Sequence, residues 1–171
     1  MELKIIDPAL LSELLDRHAR ALVLFARQWC AQAEDVVQES FVKLAAQRQA
    51  PDHPVSWLFQ VVRRGAISQQ RSEIRRQRHE SAAGERSSTW FSSEPGTRLD
   101  ADAATAALQS LPLEQREIII AHLWGGLTFA EIAELTGISS SSAHRLYLSG
   151  LSELRKALGE PCNPNPNATR H

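Results

Sequence analysis

The residues best suited to chemistry in this sequence are arginines that can neutralise phosphate. Six arginines fall between Arg63 and Glu80, where only two glutamates oppose them, so the segment carries a net charge of +4. The segment follows an apolar stretch that contains Trp57. Arginines one helical turn after another suit a phosphate backbone or unstacked bases. We therefore predict nucleic-acid contact here, with a merely solvated basic face as the alternative.

A second candidate site lies further along the chain, where capping residues define two short elements. The spacing of Thr128 and Glu131 predicts a capping box at the start of a helix, and Gly137 is placed to end it in the left-handed conformation. Ser139 offers an N-cap for a longer helix. The apolar positions of this second helix are Ala143, Tyr147, Gly150, Leu151, Leu154 and Leu158.

Two helices joined by a tight glycine turn are typical of a helix-turn-helix, whose second helix puts its N-terminal side chains on base edges in the major groove. The side chains so placed are Ser140, Ser141, Ser142, His144 and Arg145. An ordinary helical hairpin inside a core is the alternative. Between Leu111 and Leu158 there are four basic and five acidic residues. Because DNA affinity depends on neutralised phosphates, this part alone should bind DNA weakly and need a partner or a second DNA-binding surface.

A third candidate surface is acidic and lies on a helix predicted from Gln32 to Gln47. The residues predicted to be buried are Ala33, Val37, Ser40, Phe41 and Leu44. The other face carries Glu34, Asp35, Gln38 and Glu39. Such a face is ordinarily only solvated, and the alternative is a docking face for a basic partner surface.

Helical periodicity dominates the rest of the chain, and no strand pattern occurs. Asp7 and Pro8 predict the start of the first helix, as N-cap and first helical residue, and a third helix is predicted from about Val55. The apolar stripe predicted for the first helix contains Leu11, Leu14, Leu15, Leu22, Phe25, Ala26 and Trp29. His18 falls on that stripe and is expected to be a core or edge histidine rather than a ligand.

The composition divides the chain into two parts. Residues 81–102 are rich in Ser, Gly and small residues, which predicts a flexible linker that contains Trp90 and Phe91. A helix begins at about residue 103. The residues predicted to pack against the helix-turn-helix are Ile118, Ile119, Ala121, His122 and Leu123. The fold prediction is all-α: helical domains at 1–80 and 103–159, joined by the linker, with a disordered tail at 160–171.

The totals restrict the class of protein. The chain has 171 residues and 43% hydrophobic content, which predicts a globular protein. Its net charge is −1, so the overall charge does not indicate a nucleic-acid partner. No catalytic motif, metal-ligand spacing or cofactor motif occurs, so no enzyme activity and no cofactor are predicted. Neither a membrane-spanning run nor a signal peptide is evident, so a cytoplasmic location is expected. Cys30 and Cys162 are expected to be free thiols.

The order of these features resembles the extracytoplasmic-function (ECF) group of bacterial RNA polymerase sigma factors. The matching segments are AEDVVQESFVKLA (Ala33 to Ala45), WLFQVVRRGAISQQR (Trp57 to Arg71) and LPLEQREIIIAHLWGGLTFAEIAELTGIS (Leu111 to Ser139). The resemblance implies sigma region two at 1–80, sigma region four at 103–159, and no catalytic activity. Many relatives are held by an anti-sigma protein between the two domains, so the resemblance adds this as a candidate partner beside core RNA polymerase and promoter DNA.

The resemblance also implies roles for the candidate residues. The acidic-polar face of Asp35, Gln38 and Glu39, to which we add Glu34, would dock on the clamp helices of the polymerase β′ subunit. The face toward the −10 promoter element would consist of Arg63, Arg64, Ser68 and Arg71, extended by Arg75 and Arg76. The reader of the −35 element would be the helix residues Ser140, Ser141, Ser142, His144, Arg145 and Ser149. Region four would also contact the flap of the β subunit.

The sequence departs from the family pattern at four positions. The family usually has Asn near Arg64 and Asp at Ser68, and often has Arg at the positions of Leu146 and Ser149. Each lost arginine contact to DNA could cost about 1–3 kcal/mol, which predicts an unusual −35 sequence or a weak −35 contact. Leu146 and Leu148 cannot both lie in the core of one helix, so we expect an exposed apolar contact to a thymine methyl or to a protein.

The sequence therefore predicts a sigma factor that binds core RNA polymerase, opens the −10 region and reads the −35 element. One alternative is a stand-alone helix-turn-helix regulator, which strong binding of the isolated protein to duplex DNA would favour. Another is a protein-interaction module that has lost promoter reading, which promoter-specific transcription would exclude.

Overall fold

The computed structural model describes residues 6–80 and 105–159, and it folds them into helices without a strand. The helices are α1 (Pro8–Ala26), α2 (Ala33–Ala45), α3 (Pro54–Glu80), α4 (residues 105–110), α5 (Leu113–Ile119), α6 (Phe129–Thr136) and α7 (Ser140–Ala157). A π-helical turn, Ile120–Trp124, continues directly from α5. The predicted all-α class is confirmed. The predicted linker at 81–102 with Trp90 and Phe91, the tail at 160–171 and Cys162 lie outside the described residues.

Helix α1 begins as its sequence predicts and buries most of its apolar stripe. Asp7 is the N-cap and accepts from the amide of Ala9 at 3.1 Å. Leu22 and Phe25 are completely buried, but Leu15 is 46% exposed, so its predicted burial is wrong. Leu15 lies two turns before Leu22 on the same side of the helix. Helical periodicity predicts the direction in which a side chain points, whereas its burial depends on where the neighbouring helices end.

Helix α2 packs against α1 and α3 through the face predicted for it. The predicted residues Ala33, Val37, Ser40, Phe41 and Leu44 are all buried, together with Val36. The hydroxyl of Ser40 donates to the carbonyl of Val36 at 2.7 Å, which satisfies this buried polar group. A Cβ on Gly65 would lie 2.9 Å from Val36 Cγ1. The absence of a side chain at Gly65 therefore lets α3 approach α2 closely.

Helices α6 and α7 form the predicted helix-turn-helix. The amide of Thr128 donates to Glu131 Oε2 at 2.8 Å and the amide of Glu131 donates to Thr128 Oγ1 at 3.3 Å, which completes the capping box. Gly137 adopts a φ of 79° at the end of α6. Ser139 accepts from the amide of Ser142 at 3.1 Å and caps α7. Leu158, predicted to face inward, is 47% exposed because it lies at the C-cap, beyond the last packed turn.

The π-helical turn after α5 changes which side chains face the core. Ile118, Ile119 and Ala121 are buried as predicted, but Leu123 is 50% exposed, so its predicted packing is wrong. A π-turn contains more residues than an α-turn, and it therefore rotates the residues that follow it. His122 does pack against the helix-turn-helix, because its ring stacks on Phe129 with 4.4 Å between centroids.

The N-terminal and C-terminal helices share one hydrophobic cluster. It contains Phe25 and Phe59 from the N-terminal helices and Ile120 and Ala121 from the π-helical turn. Helix α1 contacts the π-helical turn, and α3 contacts α6. The two halves of the chain therefore lie directly against each other.

Candidate nucleic-acid and protein interfaces

Four of the side chains predicted to contact nucleic acid line one groove along α3. Arg64, Ser68, Arg71 and Arg75 border an open space of about 480 Å³ together with the half-buried Ile67. Their spacing of three and four residues places them on one side of the helix. Three guanidinium groups around an apolar side chain can hold phosphates and offer an apolar contact to a base. Sequence reasoning missed Ile67, because its apolar character indicated the core.

Arg63 and Arg76 do not line this groove. The Nε group of Arg63 donates to the Glu117 carboxylate, and its guanidinium lies 5.9 Å from the centroid of the Trp29 ring. Its side chain is 28% exposed. Arg76 is exposed on a different side of α3 from the groove. The structure thus divides the predicted basic set into a groove of three arginines, an arginine held by α5, and an exposed arginine apart from both.

Glu117 is the counter-charge of Arg63 and is almost completely buried. Its side chain is 5% exposed, and it lies in α5 immediately before a run of three isoleucines. Burial raises the pKa of the Glu117 carboxyl against the opposing effect of Arg63. Sequence reasoning did not select Glu117. The available signal was a carboxylate directly before three consecutive isoleucines, whereas its partner lies 54 residues earlier in the chain.

The acidic face predicted on α2 is present and exposed. Its members Glu34, Asp35, Gln38 and Glu39 all lie on the solvent side of the helix. The Arg27 guanidinium donates to the Glu34 carboxylate, which lowers the pKa of that carboxyl. Glu39 pairs with Lys43 at 2.8 Å, between two largely exposed side chains. Surface pairs of this kind contribute little to stability, so the face is available to a partner.

The predicted reading surface of α7 is largely exposed. Ser140, Ser141, His144, Arg145 and Ser149 are exposed, whereas Ser142 is half-buried beneath the cap of the helix.

Two of these side chains also make contacts within the fold. Ser149 Oγ accepts from Gln115 Nε2 at 3.3 Å, which joins α7 to α5. The His144 ring contacts the Phe129 ring edge-on, with 4.9 Å between centroids. Arg145 remains the exposed cation among the predicted reading residues.

The two leucines of α7 separate as their spacing requires. Leu146 is half-buried and packs against the core, whereas Leu148 is 52% exposed. The prediction of an exposed apolar residue in this helix is therefore confirmed, and Leu148 is that residue. Leu148 follows Ser141 by seven residues and Arg145 by three, so the three share one side of the helix.

Within ranges 6–80 and 105–159, no group of three or more His, Cys, Asp or Glu residues could hold a metal ion. No helix in that part of the chain is long and apolar enough to cross a membrane. Cys30 is buried and free.

Comparison with protein families matches both halves of the chain. Residues 14–79 match Sigma-70 region 2 and residues 101–154 match Sigma-70, region 4. The ECF RNA polymerase sigma factor SigL of Mycobacterium tuberculosis is 31% identical over 170 residues, with 90% of this chain and 92% of SigL covered. The ECF RNA polymerase sigma factor SigJ of the same species is 29% identical over 85% of this chain, which spans only 48% of SigJ.

A solved structure resembles most of the chain. It is the sigma factor RpoE of Bartonella quintana, in complex with the anti-sigma factor NepR. The TM-score is 0.68 and the identity 25%, with 86% of this chain and 95% of that chain covered.

The fold and its surfaces define a helical protein with a basic groove in one half and a helix-turn-helix in the other, which is the arrangement of a transcription factor. The chain belongs to the ECF family of RNA polymerase sigma factors, as the match to SigL and the two region matches show. It is a sigma factor for promoter-specific transcription initiation, and sigma factors are generally not enzymes.

Proposed function

We propose that the chain binds core RNA polymerase, opens the −10 element with its α3 groove and reads the −35 element with α7. The observation that supports this proposal is that one chain carries both an arginine-lined groove along α3 and a helix-turn-helix whose second helix has an exposed side. In this account the chain is not itself an enzyme and acts in the cytoplasm, where core polymerase is found. Residues 1–80 act as region two and residues 103–159 as region four.

The groove residues have different roles at the −10 element. Arg64, Arg71 and Arg75 hold the phosphates of the opened strand, while Ile67 and Ser68 lie against a base. Arginine pairs with phosphate through several donors at once, and an apolar side chain favours an unstacked base over water. The expected roles of Arg63 and Arg76 require them to reach the DNA from outside the groove.

The acidic face of α2 docks on core polymerase. Glu34, Asp35, Gln38 and Glu39 form a continuous exposed patch of acceptors, which suits a basic surface such as the β′ clamp helices. Charge complementarity of this kind raises the rate of association and sets the orientation of binding. Region four binds the β flap in the same complex.

The −35 contact is weak by itself and depends on this attachment to polymerase. Ser140, Ser141, Ser142, His144, Arg145 and Ser149 are the predicted readers. Only one of them is a permanent cation, and Leu148 adds an apolar contact that suits a thymine methyl. Tethering through a second site raises the effective concentration of a weak binder, so polymerase docking compensates for the low charge.

An anti-sigma protein is a further proposed partner. The structural relative RpoE was solved with the anti-sigma factor NepR, and such a partner of this chain would bind where the N-terminal and C-terminal helices meet.

Run-off transcription tests the proposal. Core polymerase is assayed on genomic fragments with no addition, with the wild-type chain and with its Asp35→Arg variant. The control is Asp16→Arg, an exposed acidic position on α1 outside the proposed surfaces. We expect specific start sites with the wild type and the control, and their loss with Asp35→Arg. If the chain binds polymerase but gives no start site, it is an interaction module. If it binds only duplex DNA, it is a stand-alone regulator.

A further inference from the structure

We propose that Phe129 is a positioning residue for −35 reading, whose ring holds the imidazole of His144 in the orientation that donates to a purine N7 in the major groove. This inference rests on the proposed function and deepens it, because it assigns a donor and an acceptor to one contact of the −35 element. It also adds a residue of α6 to a reading surface that the sequence analysis placed entirely on α7.

Phe129 lies at the centre of a cluster of four aromatic rings from three elements. It stacks on His122 of the π-helical turn, with 4.4 Å between ring centroids and an interplanar angle of 20°. The rings of Tyr147 and His144, both on α7, lie 5.5 Å and 4.9 Å from it at steep interplanar angles of 63° and 70°. Aromatic rings favour stacked and edge-on contacts at such distances, so each contact stabilises the observed orientation of the Phe129 ring.

His122 attaches this cluster to the core. Its Nδ1 lies 2.7 Å from the carbonyl oxygen of Leu127 and donates to it, because a carbonyl oxygen can only accept. Leu127 is almost completely buried. The Tyr147 ring contacts His122 as well, with 4.8 Å between centroids. The His122 ring is therefore held by a hydrogen bond and by a second ring, and it gives Phe129 a fixed surface to stack on.

The backbone of Phe129 is fixed as well as its ring. Phe129 is the first residue of α6 and directly follows Thr128, whose capping box with Glu131 is complete. Helix α6 packs against α7. The ring of Phe129 thus passes the position of the first helix of the helix-turn-helix to a side chain of the second.

His144 is the member of the cluster that reaches the reading surface. It is exposed, and it follows Ser140 by four residues and Ser141 by three, so the three lie on one side of α7 near its N-terminal end. Side chains at this end of the second helix meet base edges in the major groove. An imidazole N–H can donate to an acceptor there, and N7 is the acceptor that guanine and adenine share.

Positioning of this ring strengthens the contact because a mobile side chain loses rotamer freedom when it binds, and preorganisation removes part of that cost. The gain matters more where charge contributes little. Between Leu111 and Leu158 the chain has four basic and five acidic residues, so attraction to phosphate is weak there. Oriented hydrogen bonds then carry a larger share of −35 affinity.

Promoter binding by core polymerase that carries the full chain tests this contact at a single atom. In a promoter identified by run-off transcription, each purine of the −35 element is replaced in turn by its 7-deaza analogue, which has C–H in place of N7. The variants are His144→Ala, Phe129→Leu and Phe129→Tyr. Tyr147→Leu is the matched control, because Tyr147 contacts both His122 and Phe129 in the same cluster.

We expect one 7-deaza substitution to weaken binding of the wild-type complex by about 3- to 10-fold, as for the loss of one hydrogen bond. The same substitution should have no effect on His144→Ala or on Phe129→Leu, which keeps an apolar side chain but lacks the ring. It should keep its full effect on Phe129→Tyr, which retains the ring, and on Tyr147→Leu.

Other results overturn the inference in distinguishable ways. A wild-type complex that tolerates every 7-deaza purine does not donate to N7 from His144. Full sensitivity in Phe129→Leu means that His144 needs no positioning by the Phe129 ring. Equal loss of sensitivity in Phe129→Leu and Tyr147→Leu means that the cluster only stabilises the helix pair. Failure of the proposed function looks different, since the wild-type chain then gives no start site and no −35 element is read.

Discussion

The ring of Phe59 lies against the backbone of Gly125, and no side chain larger than hydrogen fits at that glycine. A Cβ there would be 2.5 Å from Phe59 Cζ and 2.5 Å from the carbonyl oxygen of Ala121. This relationship joins α3 to the end of the π-helical turn. It is one of the contacts through which the two halves share a core.

Gly125→Ala should destabilise the chain by about 1–3 kcal/mol, since an added methyl group in a packed site forces its neighbours to move. Urea unfolding measures the change. Gly126→Ala is the contrast, because that glycine has a φ of 71° but open space around it. It should cost about 1–2 kcal/mol through backbone strain alone, with no effect on the packing of Phe59. A free energy of unfolding for Gly125→Ala equal to that of the wild type would contradict the close contact between Phe59 and Gly125.

The capping box of α6 predicts a separate loss. Thr128→Ala removes the hydroxyl that accepts from the Glu131 amide, and loss of an N-cap typically costs about 1 kcal/mol. Thr128→Ser keeps the hydroxyl and is the matched control. In thermal unfolding, Thr128→Ser should have the same midpoint temperature as the wild type, whereas Thr128→Ala should have a lower one. A threonine-to-alanine change with no effect would show that the cap does not stabilise the recognition unit.

The buried carboxyl of Glu117 predicts a pH-dependent stability. Its pKa is raised in the folded chain by burial, with Glu114 adding to the rise and Arg63 opposing it. The folded chain therefore holds this proton to higher pH than the unfolded chain does, so stability falls as pH increases from the ordinary carboxyl pKa of about 4.3 to the raised value.

The test compares urea unfolding of wild type and Glu117→Gln between pH 4 and 8. The stability of the wild type relative to the variant should decrease across the lower part of this range, whereas Glu134→Gln, at an exposed position of α6, should track the wild type. A wild-type advantage that instead grows with pH would mean that Arg63 outweighs burial.

The groove of α3 predicts a change in salt dependence. Arg71→Ala removes one phosphate contact, so the slope of log affinity against log salt should fall in magnitude by about 0.7 for a single strand. Fluorescence anisotropy of polymerase-bound chain with promoter DNA measures this slope. Arg17→Ala is the control, because Arg17 is an exposed α1 residue that pairs with Glu13. An unchanged slope in the Arg71 variant would place that residue away from phosphate.

Features determined by neighbouring residues could be predicted from the sequence. The capping box at Thr128, the left-handed Gly137 and the cap at Ser139 depend on contacts within four residues, and all three are confirmed. The buried face of α2 is confirmed for the same reason, since helical periodicity fixes direction.

Features determined by distant contacts could not be predicted. The exposure of Leu15 and Leu123 depends on where other helices end and on the π-helical turn. The pairing of Arg63 with Glu117 joins residues from opposite halves of the chain. Periodicity alone placed Arg63 in the basic set with Arg64, and only the contact of Arg63 with Glu117 separates the two.

Strand opening by the α3 groove can be measured by permanganate footprinting of a promoter identified by run-off transcription, using core polymerase with the wild-type chain or with Arg71→Glu. We predict that thymines about ten base pairs upstream of the start become reactive only when the wild-type chain is present, because the groove must hold the opened strand. Equal reactivity with the Arg71 variant, or with core polymerase alone, would contradict the assignment of strand opening to α3.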